Sequence, residues 1–204
     1  MEVIIADSKS SDETVSMAKA EYRSARICID MKRGVSRACN KAARMAKGEI
    51  LLFIDADTSI SRTALAAYDV AFRKGIVAAS GPIKPLEKAT YAMTLAFEII
   101  SVHLVKLFIA MGKPSIIASN FAVTAKAFRK AGGFNEKLVT YQDWELSQKL
   151  GRMGKVAFVN SAVVYTSMRR VKKWGAFKYF RYHASNAILY QLRGKAREDY
   201  EPVR

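Results

Sequence analysis

Two carboxylates one residue apart, Asp55 and Asp57, follow directly on the apolar run Ile50-Leu51-Leu52-Phe53-Ile54. Paired oxygen ligands of this kind suit a hard divalent cation, which can in turn hold a diphosphate. A strand that stops abruptly in acidic residues also puts them where open α/β sheets bind ligands, beyond the strand carboxyl ends. A third carboxylate, Asp143, lies in the first turn of a helical pattern. There it either complements the helix dipole or takes a proton from an attacking hydroxyl. Asp7 and Asp12 add further acidic punctuation. An isolated Asp-x-Asp is a common loop cap. The glycine-closed helix before this one, and the other carboxylates, give it weight.

The elements that must hold these residues alternate. Residues 3–6 read as a strand, 7–12 as a turn, and a helix capped at Ser11 or Asp12 runs to about Tyr22. A short strand over 25–29 comes next. Gly34 opens a helix with Val35, Ala38, Cys39, Ala42 and Met45 at helical spacing, closed by Gly48. The strand over 50–54 and the acidic loop follow. A helix from Ser61 to Lys74 ends at Gly75, before a strand over 76–80. This alternation predicts a doubly wound, mostly parallel sheet flanked by helices, a three-layer α/β sandwich.

The middle reads differently. Residues 87–111 form a long, largely apolar helical stretch whose Glu98, His103 and Lys106 argue against a membrane span and favour a core or interfacial helix. A strand over 116–123 carries Asn120, an odd polar residue inside it. Thr124 caps a short helix ending at Gly132-Gly133. Further expectations are a helix over 141–153, strands over 155–159 and 162–165, and a final helix over 174–192.

The chain of 204 residues is half apolar, enough for one domain over 1–170 with a basic helical tail over 171–204. Cys28 and Cys39 read as small core residues of a reducing compartment, and His103 and His183 as packing residues. The net charge of +16 calls for an anionic partner: a nucleotide diphosphate, an acidic membrane face or a nucleic acid. No groove-reading or RNA-stacking motif is present, which sets nucleic acid aside. In the tail, Trp174, Phe177, Phe180, Ala184 and Ile188 share one helix face, with Lys172, Lys173, Lys178, Arg181, Arg193 and Lys195 around it. That is the composition of an interfacial membrane element. The favoured arrangement docks the aromatic face on the domain and turns the basic residues to an anionic surface. It places the protein in the cytoplasm, peripheral on the inner membrane face.

Six segments in order carry a resemblance: Asp7-Ser8-Lys9-Ser10-Ser11-Asp12, Gly34-Val35-Ser36-Arg37-Ala38-Cys39-Asn40, Ala46-Lys47-Gly48-Glu49, Asp55-Ala56-Asp57, Gly132-Gly133-Phe134-Asn135-Glu136 and Gln142-Asp143-Trp144-Glu145-Leu146. In order and spacing, from Val3 to about Arg170, the chain resembles the family 2 glycosyltransferases of the GT-A fold. The resemblance implies inverting transfer of a sugar from a nucleotide-sugar donor to a hydroxyl of a glycan or lipid-linked acceptor, with a divalent cation, Mn or Mg. It implies that Asp7 contacts the nucleoside base or ribose, that Arg37 lies near the nucleotide, and that Asp55 touches the ribose side. It makes Asp57 the metal ligand and Asp143 the general base. Asn120 joins the substrate-binding candidates.

The chemistry agrees with those roles. Breaking the sugar C1–O bond releases a nucleoside diphosphate. A cation on Asp57 would stabilise its charge, and Arg169 or Arg170 would add charge-assisted hydrogen bonds. The acceptor hydroxyl loses a proton as it attacks, and Asp143 is placed to take it. Asp7, Asp57 and Asp143 are expected to converge on one cleft.

The sequence also departs from the family pattern. The family's first strand would fall before Met1, so the expectation is a gap in the sheet with open pairing edges on both neighbours. Either the true start lies upstream of Met1, or the chain is shortened, or another segment or a second protomer in a homo-oligomer fills the gap. Gln142 stands where the family carries Glu, and Ser8 where it carries a second Asp. A non-catalytic GT-A-like binding or assembly module is the alternative reading. The intact Asp55, Asp57 and Asp143 oppose it.

Overall fold

Short apolar strands joined by crossover helices pair in parallel, and the first two do. β1 (Ile4–Asp7) and β2 (Arg26–Ile29) run side by side, with Ile4 opposite Arg26 and Asp7 opposite Ile29. α1 (Thr14–Glu21) connects them. The structure, a computed structural model, describes residues 1–32, 34–193 and 196. α2 (Val35–Met45) buries the small residues Ala38, Ala42 and Ala43, which let it lie close to the strands.

The central sheet has four strands in the order β3 (Ile50–Phe53), β7 (Phe121–Thr124), β5 (Ala78–Ser80) and β8 (Val156–Phe158). Alternation sorts its side chains into two layers. Leu51, Val123, Phe121 and Ala78 join Phe128, Phe134, Leu146 and Leu150 on one face. These helical partners come from α6 (Ala125–Lys130), α7 (Gln142–Met153) and the loop between them. Ala122 and Ala79 pack on the other face against Ala64, Tyr68 and Phe72 of α3 (Ala64–Phe72). The expected three-layer α/β sandwich is present. Thr124 caps α6 as predicted, its hydroxyl accepting from the Ala127 N–H.

The strand directions are more mixed than expected. Three ladders are parallel and three antiparallel among the described residues. β7 is the reason: it enters after the long apolar helix, inserts between β3 and β5, and runs against both. A third sheet, absent from the sequence reading, joins β4 (Thr58–Ile60), β9 (Val164–Thr166) and β6 (Ile83–Pro85) in the order β4-β9-β6. β1 and β3 each end their own sheet, and no ladder links the two sheets among the described residues. Glu2 ties them instead. One of its oxygens accepts from the Lys47 and Gly48 N–H groups (2.6 and 3.0 Å) and the other meets Arg26 at 3.0 Å.

The long apolar stretch is α4 (Tyr91–Glu98), a π-helical turn (Ile99–Leu104) and α5 (Val105–Ala110) in one run. It is not a core helix: 11% of its apolar window is buried. The tail is two helices, α8 (Arg169–Trp174) and α9 (Ala176–Arg193), broken at Gly175, whose φ of 78° is left-handed. α9 docks by a different face from the one expected. Tyr182 and Asn186 are buried, while Phe177 and Ile188 point outward. The side chain of Phe180, and Lys195, lie outside the described residues.

Asn120 locks the layers together. It is fully buried in a 3-10 turn (Ala118–Asn120) ahead of β7. Its Oδ1 accepts from the Tyr68 hydroxyl (2.6 Å) and its Nδ2 donates to the Ala162 carbonyl (2.9 Å). Its own carbonyl accepts from Ser80 Oγ at 3.1 Å. The same Ala162 carbonyl would sit 2.2 Å from a Cβ at Gly81, so that position admits only glycine. Removing the Asn120 amide strands buried partners at about 1–3 kcal/mol each. Asn120→Ala is therefore expected to lower the urea unfolding free energy by that amount per partner. An unchanged unfolding midpoint would contradict the lock.

Candidate active site

The register of the central sheet brings the site together. β3 and β7 pair antiparallel with Phe53 opposite Phe121. The residues leaving β3, Ile54 to Asp57, therefore lie beside the residues entering β7, Ala118 to Asn120. Asp143, in the first turn of α7, reaches the same rim. Its Oδ2 accepts from the Ala118 N–H (3.0 Å) and its Oδ1 from the Trp144 N–H (2.8 Å). The third sheet closes the other side. β4 pairs with β9 directly after the acidic pair, Thr58 opposite Thr166. The Asp57 carbonyl accepts from the Ser167 N–H (3.0 Å), which places the start of α8 against the Asp57 loop. Arg169 then meets Asp57 Oδ2 at 3.1 Å.

The electrostatics match this crowding. The Asp55 carboxyl is pushed up to about 6, first by burial, then by the charges of Asp57 and Asp143, against the opposing pull of Arg170 and Arg169. Burial also raises Asp143 above the ordinary carboxylate range, although the Trp144 and Ala118 N–H groups work the other way. Asp55, Asp57, Asp143, Arg169 and Arg170 thus share one cleft. The arginines are held in turn by Glu87, a residue the sequence reading did not single out. Its carboxylate accepts from the Met168 N–H (2.8 Å) and Ser167 Oγ (2.7 Å), bonds that hold its pKa below the usual carboxylate range. Glu87 acts through a non-local contact, so no local signal marked it.

The other predicted residues are held by partners of their own. Asp7 is buried at the carboxyl end of β1, its Oδ2 accepting from the Ser10 N–H at 3.0 Å. Arg37 is engaged at both ends, with Asp30 at 3.4 Å and Glu136 at 3.0 Å. Its neighbour Asn40 accepts from the Phe134 N–H (2.9 Å) and donates to the Phe134 carbonyl (2.8 Å). Gly133 allows this grip: its φ is +71°, and a Cβ there would lie 2.5 Å from Asn40 Oδ1. The two segments around Arg37 and Gly133 are therefore two halves of one clasp. Asn120, expected to bind substrate, lies beneath the cleft with no surface to offer one.

Tyr141, just before α7, has a left-handed backbone (φ 72°). A non-glycine residue in that region is strained and needs surrounding support. Its ring stacks on Trp144 (5.3 Å) and meets Tyr190 of α9 (5.0 Å). Asn186 of α9 donates to Thr140 Oγ1 at 2.9 Å. The tail helix thus braces the turn that presents Asp143.

The sequence profile of glycosyl transferase family 2 matches residues 1–131. The chain belongs to glycosyl transferase family 2. No curated protein sequence matches it. Among solved structures it is similar to the mannosyltransferase PcManGT from Pyrobaculum calidifontis in complex with GDP-Man and Mn²⁺, with a TM-score of 0.68 and 22% identity over 96% of this chain and 56% of that one. It is also similar to S. aureus TarS 1–349 in complex with UDP-GlcNAc, with a TM-score of 0.63 and 16% identity over 81% of this chain and 49% of that one. GalNAc-T7 with UDP, GalNAc and Mn²⁺ aligns at a TM-score of 0.61 and 16% identity, over 94% of this chain and 45% of that one. The chain thus spans about half the length of these glycosyltransferases and shares their fold.

Among the described residues, no three His, Cys, Asp or Glu side chains form a metal cage. The site fits a cation in another way. Magnesium-type sites often use one or two carboxylates and take the rest of their ligands from substrate phosphates and water. Asp55 and Asp57 supply that minimum, and the mutual repulsion seen at Asp55 is what a cation would relieve. A proton competes for the same carboxylate. Binding of Mn²⁺ with a nucleoside diphosphate, followed calorimetrically, is expected to weaken as pH falls through about 6, by up to about tenfold between pH 7 and pH 5. Asp55→Asn should shrink that step to the part set by the diphosphate's own protonation at about pH 6. A flat profile in the unaltered protein would contradict the shared cleft.

Proposed function

We propose that this family 2 domain transfers a sugar from a nucleotide-sugar donor to a hydroxyl of a glycan or lipid-linked acceptor, with inversion at the sugar carbon. One observation carries the reading. Asp57 and Asp143 come from separate elements, yet both of their charges act on Asp55, and Asp143 is half-buried with both oxygens held by backbone N–H groups. The ligands named for the similar structures, GDP-Man, UDP-GlcNAc and Mn²⁺, support a nucleotide-sugar donor and a divalent cation here.

The roles follow from charge and position. Asp57, with Asp55 beside it, would hold Mn or Mg together with diphosphate oxygens. The cation, when bound, supplies Lewis-acid stabilisation of the departing diphosphate. Arg169 and Arg170 add positive charge on the same side, and Glu87 keeps their helix in place. Asp143 takes the proton of the acceptor hydroxyl. Its raised proton affinity makes it a stronger base near neutral pH than an ordinary carboxylate. An attack assisted from Asp143, opposite the leaving diphosphate, is the geometry of inversion. Asp7, at the end of β1, is assigned to the nucleoside end of the donor.

A binding module without catalysis is the second reading. The engagement of Arg37 by Asp30 and Glu136 favours it, since that guanidinium is already paired. Two substitutions separate the readings. Asp57→Ala is expected to abolish cation-dependent nucleoside diphosphate binding while the melting temperature holds, because a partly exposed loop carboxylate contributes little to stability. Asp143→Asn is expected to keep donor binding and lower transfer by about 10²–10⁴-fold. Equal turnover in Asp143→Asn and the unaltered protein would remove the base assignment. Cation-dependent binding that survives Asp57→Ala would remove the metal site.

A further inference from the structure

The helical run Tyr91–Ala110 presents apolar surface that the fold does not use. It is 20 residues long with a mean hydropathy of 1.8, and 11% of that window is buried. The buried side is narrow. Ser101 Oγ accepts from the Ile83 N–H (3.2 Å) and donates to the Ile83 carbonyl (3.0 Å). Val105 is 3% exposed, Lys106 lies over the Phe158 ring at 5.0 Å, and Ile109 packs against the core. These contacts hold the helix lengthwise along the domain.

The outward side carries large apolar residues, Tyr91, Leu95, Ile99, Leu104, Leu107 and Met111, between 39% and 83% exposed, with the exposed Glu98, His103 and Lys106 among them. In an ordinary helix these positions would drift off one face, because 99 to 104 is five residues. The π-helical turn over Ile99–Leu104 takes more residues per turn than an α-helix and so brings Leu104 nearer the face of Ile99. The same turn puts Ser101 on the docked side. The backbone irregularity therefore serves both faces at once.

Charge marks the two ends. Lys84 and Lys88 precede the helix and Lys113 follows it, all exposed. Lys172 of α8 acts electrostatically on Glu87, four residues before Tyr91. An apolar stripe held flat and flanked by lysines is complementary to one partner above others: a bilayer surface, with acyl chains below and anionic headgroups around. We infer that Tyr91–Ala110 lies in the plane of an anionic membrane and seats its Tyr91–Met111 stripe at the headgroup boundary. Docking along the domain through Ser101 and Val105 is what makes it lie flat instead of crossing. This surface is separate from the transfer chemistry, and its test needs no turnover.

The test is flotation with vesicles of phosphatidylcholine alone and of phosphatidylcholine with phosphatidylglycerol. The unaltered protein is expected to float with the anionic vesicles and to be released as salt rises from 0.1 to 1 M, where the screening length falls from ~10 to ~3 Å. Leu95→Ser with Leu107→Ser is expected to weaken partitioning at least about tenfold, since both substitutions remove apolar side chains from the bilayer boundary. Both leucines are exposed, so the melting temperature should hold. Met17→Ser, an equally apolar exposed site on α1, should leave binding intact. Three results would overturn the inference. One is binding that ignores the double substitution, and another is equal loss in Met17→Ser. The third is a protein that stays off both vesicles while sedimenting as a dimer that the double substitution dissociates.

Discussion

Three carboxylates gathered at the rim of a small sheet repel one another, and the arrangement of this domain follows from having to hold them there. Asp55 and Asp57 are fixed because the loop that carries them is clamped between β3 and β4, whose partners β7 and β9 lie in different sheets. Asp143 is fixed because both of its oxygens accept backbone N–H groups, one from the turn ahead of β7 and one from its own helix. Arg169 and Arg170 offset part of the repulsion, and they are in reach only because Glu87 anchors the start of α8. The proposed function follows from what repulsion is left after those contributions, which a cation entering with a diphosphate would relieve.

Rigidity around the cleft comes from buried polar locks more than from a large core. Asn120 joins the α3 layer to the loop before β9, and Asn40 joins α2 to the Gly133 loop. Each is buried with its amide satisfied at both ends, so each is costly to remove and specific in its partner. The aromatic contact of Tyr141, Trp144 and Tyr190 does similar work beside Asp143. It supports a left-handed turn just ahead of the proposed base. The tail helix is thereby part of the site's scaffold and not only a basic appendage.

Much of this was legible in the residues. Apolar period and glycine stops located β1 to β3, α2, α6 and α7 to within a few positions, and the abrupt Phe53-Ile54-Asp55 boundary pointed to the cleft. What escaped depends on distant partners. β4 and β6 have three residues each and exist only because β9 lies between them. Arg37 and Asn120 carry functional-looking chemistry, but Arg37 is paired with Asp30 and Glu136 and Asn120 is fully buried among its hydrogen-bond partners. The docked face of α9 was misjudged because aromatic spacing favoured Phe177, while the actual anchors are the polar Asn186 and the ring of Tyr190. A helical period locates a stripe without saying which stripe finds a partner.

The account turns on one cleft shared by Asp57, Asp143 and the two arginines of α8. The most direct measurement is a crystal structure with a nucleoside diphosphate and Mn²⁺, using anomalous scattering to locate the metal. The expected result is a manganese peak coordinated by Asp57, with the diphosphate between it and Arg169–Arg170 and with Asp143 facing open space across the cleft. Manganese bound away from Asp57, or a diphosphate seated with Asp143 on the same side as its phosphates, would contradict it.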